Sequence, residues 1–121
     1  MKPIQLAVEV AVTPAQREFG LMDRTTKTGM LFLFEQPMLT PFWNERTLLP
    51  LDIFFMDRAG TIVTRHAMQT ITESKLPVAY RSASPYVVAL ELPRGLVPPQ
   101  ATRIILGPID YRRAVAIVTL A

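Results

Sequence analysis

The sequence predicts a mainly β domain: a small β-sandwich or jelly-roll-like, partly open barrel of about seven strands with one short helix. Three observations carry that expectation. Eleven prolines are spread through 121 residues, which suits short elements joined by tight connections and leaves no room for long helices. Short stretches of alternating apolar and polar residues recur between turn signals. Only one segment has a convincing helix start, so a doubly wound α/β sheet lacks its crossovers. The length fits one domain, 1–121, of globular composition, half hydrophobic and 19% charged.

The elements follow in order. Ile4 to Val10 alternates as a half-buried strand. Thr13, Pro14 and Gln16 then start a helix, with Thr13 as cap, Pro14 at the first helical position and Gln16 completing a capping box. Ala15, Phe19 and Met22 fall on one face, and the helix is expected to end near Asp23. Gly29 to Phe34 is a compact apolar run, read as a strand buried on both faces. Thr47 to Asp57 is extended, Asp57-Arg58-Ala59-Gly60 is a hairpin turn, and Thr61 to Met68 returns as its partner. Gln69 to Pro77 reads as a polar loop. Tyr86 to Leu92, Arg103 to Leu106 and Arg113 to Leu120 are further strands, with Tyr86, Val88, Leu90 and Leu92 on one face.

Composition excludes several chemistries. Without cysteine there is no disulfide, thiolate nucleophile or Cys-based zinc site, and with one histidine, His66, there is no multi-His metal site. No cofactor is implied. Thirteen Lys and Arg stand against ten Asp and Glu, and the basic residues are scattered, so the net charge of +3 is ordinary surface charge and not a nucleic-acid footprint. No apolar stretch reaches the length of a membrane span. The opening MKPIQLAVEV has a single Lys and alternates, unlike a signal peptide.

An ordered set of short pieces carries a family resemblance. They are Gly20-Leu21-Met22 with Arg24, Gly29-Met30-Leu31-Phe32 with Phe34, Phe42-Trp43, Thr47-Leu48-Leu49-Pro50-Leu51-Asp52 with Phe55, Gly60, and Leu90-Glu91-Leu92-Pro93 with Gly95. In that order and at those separations the chain resembles the bacterial and archaeal family called domain of unknown function 192, from about Val8 to Leu106. The resemblance implies a small β-sandwich with one short helix packed on it. It also implies no established activity, and export as one alternative to a cytoplasmic location, with the leader then absent from this sequence. Where family members have Met-Lys-Asn between the Trp and the Thr, this chain has Asn44-Glu45-Arg46, which reverses a charge. Its ending after Gly107 also differs, which favours an additional C-terminal strand.

Residues 41–52, PFWNERTLLPLD, hold the one concentration of aromatic and charged side chains in an apolar stretch. The ligand-binding candidates are therefore Trp43, Glu45, Arg46 and Asp52, with Arg24 contributing. Trp43 offers a flat face and one donor for a sugar or partner. Its structural alternative, a mostly buried ring capping the sheet, is the preferred one. Asp52 at the entrance of an apolar strand must be solvated, paired or bonded to backbone donors, and an architectural role is favoured over catalysis. Thr47 and Asp52 belong on opposite faces of a regular strand. Glu91 lies between Leu90 and Leu92, so it reads as a surface carboxylate. His66 reads as a lone packed or solvated side chain, and Met30, Met38, Met56 and Met68 as core or loop filler.

These features point first to a non-catalytic domain that binds a small molecule, sugar or protein near Trp43 and Asp52. The alternatives are a hydrolase acting on a carbohydrate or other polar substrate through Asp52 and a second carboxylate (Glu91, Glu35 or Glu45), and a structural module that forms a homo-oligomer.

Overall fold

A computed structural model describes residues 3–120. Seven strands form one mixed sheet: β1 (Ile4–Ala11), β2 (Met30–Met38), β4 (Leu51–Met56), β5 (Ile62–Met68), β7 (Tyr86–Pro93), β8 (Ile105–Asp110) and β9 (Val115–Leu120). Their order is β5-β4-β7-β2-β1-β9-β8. Two short strands, β3 (Phe42–Trp43) and β6 (Ala79–Tyr80), pair separately. Two short helices, α1 (Pro14–Phe19) and α2 (Ile71–Ser74), complete the chain. The mainly β class stands. The seven strands expected from alternation are those of the large sheet, and β3 and β6 are additional because two residues carry no readable period.

Local chemistry sets the boundaries. Thr13 accepts the Gln16 N–H at 3.1 Å while Gln16 Oε1 accepts the Thr13 N–H at 3.1 Å, closing the capping box of α1. The helix stops at Phe19, short of the expected Asp23, because Gly20 takes φ 52° and its N–H returns to the Gln16 carbonyl. The segment read as a polar loop after Met68 contains α2, one helical turn started by a second capping box, Thr70 with Glu73. Around α1 the chain connects β1 to β2 in parallel, and every other pairing in the large sheet is antiparallel.

The sheet curls until its two edges touch. Thr61, just before β5, forms a bridge with Arg103, just before β8. The Ile62 N–H donates to Thr102 O at 2.8 Å and the Ile104 N–H to Gly60 O at 2.9 Å. Gly60 has φ 83°, and a Cβ there would lie 2.0 Å from Ile104 O, so this contact admits only glycine. The result is a partly open barrel, joined at one point. Its interior holds Val8, Val10, Leu31, Phe54, Leu90 and Val118, plugged by Val97 and Ile104 from the β7–β8 connection.

The opposite face of the central strands is also covered. Leu51, Ile53, Phe55, Phe32, Tyr86 and Ala89 pack there beneath Leu21, Leu49, Phe42 and Tyr80. Every residue of β4, and of β7 as far as Leu92, is therefore buried. The covering layer is pinned by Asn44, which is 0% exposed. Its amide donates to Gln69 O at 2.9 Å and Ser74 Oγ at 2.8 Å, and its side-chain carbonyl accepts the Val78 N–H at 2.7 Å. No helix among the described residues is long and apolar enough to cross a membrane.

Removing the buried Asn44 side chain deprives three part-buried partners of their hydrogen bonds at once. Asn44→Ala is expected to lower stability by about 3 kcal/mol, read as a shift in the denaturant midpoint, whereas a comparable truncation at exposed Leu76 leaves the midpoint in place.

Candidate functional site

The cover over the outer face is incomplete. A cleft of about 830 Å³ opens between β7 and β2 on one side and residues 12–22 and 40–47 on the other. Its size lies in the range of small-molecule sites. Aromatic side chains make its walls: Phe19, Phe32, Phe34, Phe42, Trp43 and Tyr86 all line it. Phe42 is the hub, edge-on to Phe32 at 4.9 Å between ring centroids and to Phe55 at 5.7 Å. Tyr86 donates to Thr40 O at 2.6 Å, which holds the loop before β3 against the sheet, and burial pushes its hydroxyl up to about 12.

Two buried polar groups reach this cleft. Glu91 is 5% exposed, and its Cα partners across the sheet are Met30 and Ile53, both in the apolar cluster beneath the cover. Thr47, also 5% exposed, enters from the covering loop. Among the described residues neither side chain has a hydrogen-bond partner, yet neither is sealed away, since no fully enclosed side-chain oxygen is unpaired. Both residues line the cleft. With nothing to stabilise its charge, burial pushes the Glu91 carboxyl up to about 8.

Glu91 thus departs from the surface position expected of it. Alternation with Leu90 and Leu92 was a sound guide to which face it takes, but not to whether that face meets water. The usable signal lies at Ala89, which is apolar and shares its face, whereas Tyr86 packs under the cover and Val87 in the barrel, against the expected alternation, beside the register shift between Leu33 and Met38. A strand apolar at both parities is covered on both sides. Thr47 gave no comparable signal.

The five candidate residues scatter. Trp43 lines the cleft and is 51% exposed, contrary to the preferred buried ring, because in the two-residue strand β3 the inward position belongs to Phe42. Glu45 lines the same cleft. Arg46 stands at its margin, paired with Asp23 and lying over the Phe19 ring at 5.8 Å. Arg24 lies elsewhere, in a bidentate pair with Glu9 (2.5 and 2.7 Å) that holds the Glu9 carboxyl below its usual range. Asp52 is buried on the barrel-interior side of β4, where its Oδ2 accepts the Gly95 N–H at 2.9 Å.

Asp52 and Glu91 therefore cannot form a catalytic pair: Glu91 registers with Ile53, and Asp52, one residue earlier, points the other way. His66 packs between Phe55 and Tyr80 and donates from Nε2 to Arg81 O at 2.8 Å. No group of three or more potential metal ligands occurs among the described residues.

Residues 1–103 match the model of the family DUF192, described as "Uncharacterized ACR". No curated protein matches the chain. Two solved structures resemble it. One, from Sinorhizobium meliloti 1021, is described as a candidate transcription regulator; it is 32% identical with a TM-score of 0.68, over 91% of this chain and 78% of that one. Another, a protein of unknown function from Novosphingobium aromaticivorans, is 31% identical with a TM-score of 0.64, over 74% of this chain and 64% of that one.

The raised Glu91 carboxyl makes stability depend on pH. Below the ordinary value of 4.5 it is protonated in both folded and unfolded chains. Between there and about 8 the folded chain keeps a proton that the unfolded chain releases, so this contribution is lost as pH rises. Glu91→Gln should raise the melting temperature by several degrees at pH 8.5 and barely at pH 4.5. Asp52→Ala is expected to cost about 2 kcal/mol at neutral pH by stranding the Gly95 N–H, and Asp52→Asn, which keeps an acceptor, distinctly less in the same thermal melts.

Proposed function

The chain belongs to the DUF192 family, and from that premise we propose that it binds a small organic ligand, without converting it, in the cleft beside Trp43. One observation carries this reading: two buried polar side chains without protein partners, Glu91 and Thr47, meet at an aromatic-lined cleft of about 830 Å³. A fold that leaves such groups unpaired gives up stability unless something else satisfies them. The apolar rings supply contact area and the two polar groups fix orientation, the usual division of labour in a small-molecule site. Of the residues first singled out, Trp43 and Glu45 fall within this site, and Asp52 serves the architecture instead.

We do not carry the description of the Sinorhizobium relative over to this chain as DNA reading: the longer described helix, α1, has six residues, and the basic residues are scattered along the sequence. A hydrolase is the second reading, favoured by the Glu91 carboxyl, which is held protonated near neutral pH as a general acid must be. It needs a second carboxylate across the cleft at roughly 5–9.5 Å, a part that only Glu18, Glu35 or Glu45 is placed to play.

Because the chain has one tryptophan, its fluorescence reports on this cleft. Titration with small aromatic compounds should change Trp43 emission and move the backbone amide resonances of Phe34, Phe42, Thr47 and Glu91. Trp43→Ala should weaken such binding about threefold to tenfold, the loss of roughly one ring contact. Resonance changes confined to Gly95 or Arg24 would locate the site elsewhere, and turnover of a chromogenic glycoside or ester that disappears in Glu91→Gln would favour the hydrolase.

A further inference from the structure

Whatever occupies the cleft must suit its charge, and that charge opposes the rest of the molecule. The chain is basic overall, at +3, yet the charged side chains lining the cleft are four carboxyls and one guanidinium. Glu18 comes from α1, Glu35 from β2, Glu45 from the turn after β3, and Glu91 from β7. The guanidinium, Arg17, is already engaged: its Nη1 donates to Val12 O at 2.6 Å and Leu33 O at 3.0 Å, and its plane covers Phe34 at 4.9 Å. It braces α1 against β2 and is not aimed at Glu91. The β4 side chains beside Glu91 on this face are Leu51, Ile53 and Phe55, none ionisable. One strand beyond β2, the Glu9 carboxylate is taken up by Arg24.

We propose that the cleft recognises an organic cation, a primary ammonium or similar group on an apolar or aromatic body, whose charge is met by the Glu91 carboxylate and the Thr47 hydroxyl within the ring of aromatic faces. This rests on the ligand-binding reading above and specifies its substrate class. The Phe34 and Phe19 faces are already taken by Arg17 and Arg46, which leaves Trp43, 51% exposed, as the ring at the cleft best placed to attract a cation independently of Glu91. The rim carboxylates raise the local concentration of a cation approaching the mouth. A metal ion is a poorer occupant, since the donor set is one buried carboxyl and one hydroxyl amid hydrocarbon. An anionic ligand would meet four carboxyls with the guanidinium already spent.

Binding a cation draws the Glu91 proton off, because the ammonium stabilises the carboxylate that burial disfavours. Affinity should therefore climb with pH up to about 8, approaching tenfold per unit, and level off beyond it.

The test uses the whole chain and three probes of one shape: phenethylammonium, neutral 2-phenylethanol and anionic 3-phenylpropionate, followed by calorimetry and Trp43 emission at pH 6 to 9. The expected result is that phenethylammonium binds at least tenfold more tightly than the alcohol at pH 8, that the anion does not bind, and that only the cation's affinity rises with pH. Glu91→Gln should remove at least tenfold of the cation's affinity at pH 8 and abolish its rise with pH. Equal binding of cation and alcohol, a flat pH profile in the wild-type chain, or an unaffected cation in Glu91→Gln would overturn the assignment to cations while leaving the cleft a binding site. Failure of all three probes to bind at millimolar concentration would overturn both readings together.

Discussion

The constraint on which the rest of this structure depends is that its two central strands bury both of their faces. β4 and β7 carry apolar side chains at both parities, so neither face can be left to water. The protein meets the two demands differently. One face is closed by the sheet itself, which curls until its edges touch at Thr61 and Arg103. The other has no sheet to pack on and relies on irregular chain: the segment after α1, the loop through Phe42 and Leu49, and the short β3–β6 pair. Irregular cover fits less evenly than a second sheet, and the cleft lies where it falls short.

That cover is held by a few directional contacts. Asn44 uses three side-chain hydrogen bonds, both of its donors and its carbonyl, to join the end of β3 to α2 and the entry of β6. Phe42 seats beside it as the aromatic hub, and the Tyr86 hydroxyl fastens the preceding loop. Asn44 and Phe42 thus place Trp43 and Glu45 at the mouth of the cleft although neither contributes to its polar floor. The same layer holds Thr47 at the cleft, its N–H bonded to Asn44 O and its carbonyl to the Ile71 N–H. A site built in this way inherits its precision from the scaffold.

The electrostatics follow from the packing. A carboxyl group between Met30 and Ile53, under a roof of hydrocarbon, loses its hydration without gaining a partner, and its protonated form is favoured. Elsewhere the chain handles buried or crowded carboxylates in the ordinary way: Asp52 by a backbone N–H, Glu9 by a bidentate arginine. Against those two, Glu91 is the exception, and exceptions to local consistency tend to concentrate where a protein acts.

The sequence by itself determined the class, the seven strands of the large sheet, the capped start of α1, the Gly60 turn and the family. The family rests on an ordered set of short pieces along the chain, and the others on short-range signals: period two, an apolar run between turn residues, a capping box, a residue free to take positive φ. It also favoured an architectural role for Asp52, whose carboxylate accepts the Gly95 N–H, but it put Thr47 on the strand with Asp52, whereas Thr47 lies in the loop before β4. Only the tertiary structure decided what each face meets. Alternation assigns Glu91 to a face but says nothing of the loop lying over that face, and a preference for buried tryptophan says nothing of Phe42 having taken the inward place at β3. Nor does any local pattern show that Asn44 reaches Gln69, Ser74 and Val78, which lie 25 to 34 residues away. Burial is a property of the packed chain, so the motif at residues 41–52 found the neighbourhood of the cleft through Trp43 and Glu45. The carboxyl at its floor, Glu91, came from a strand well beyond that motif in the sequence.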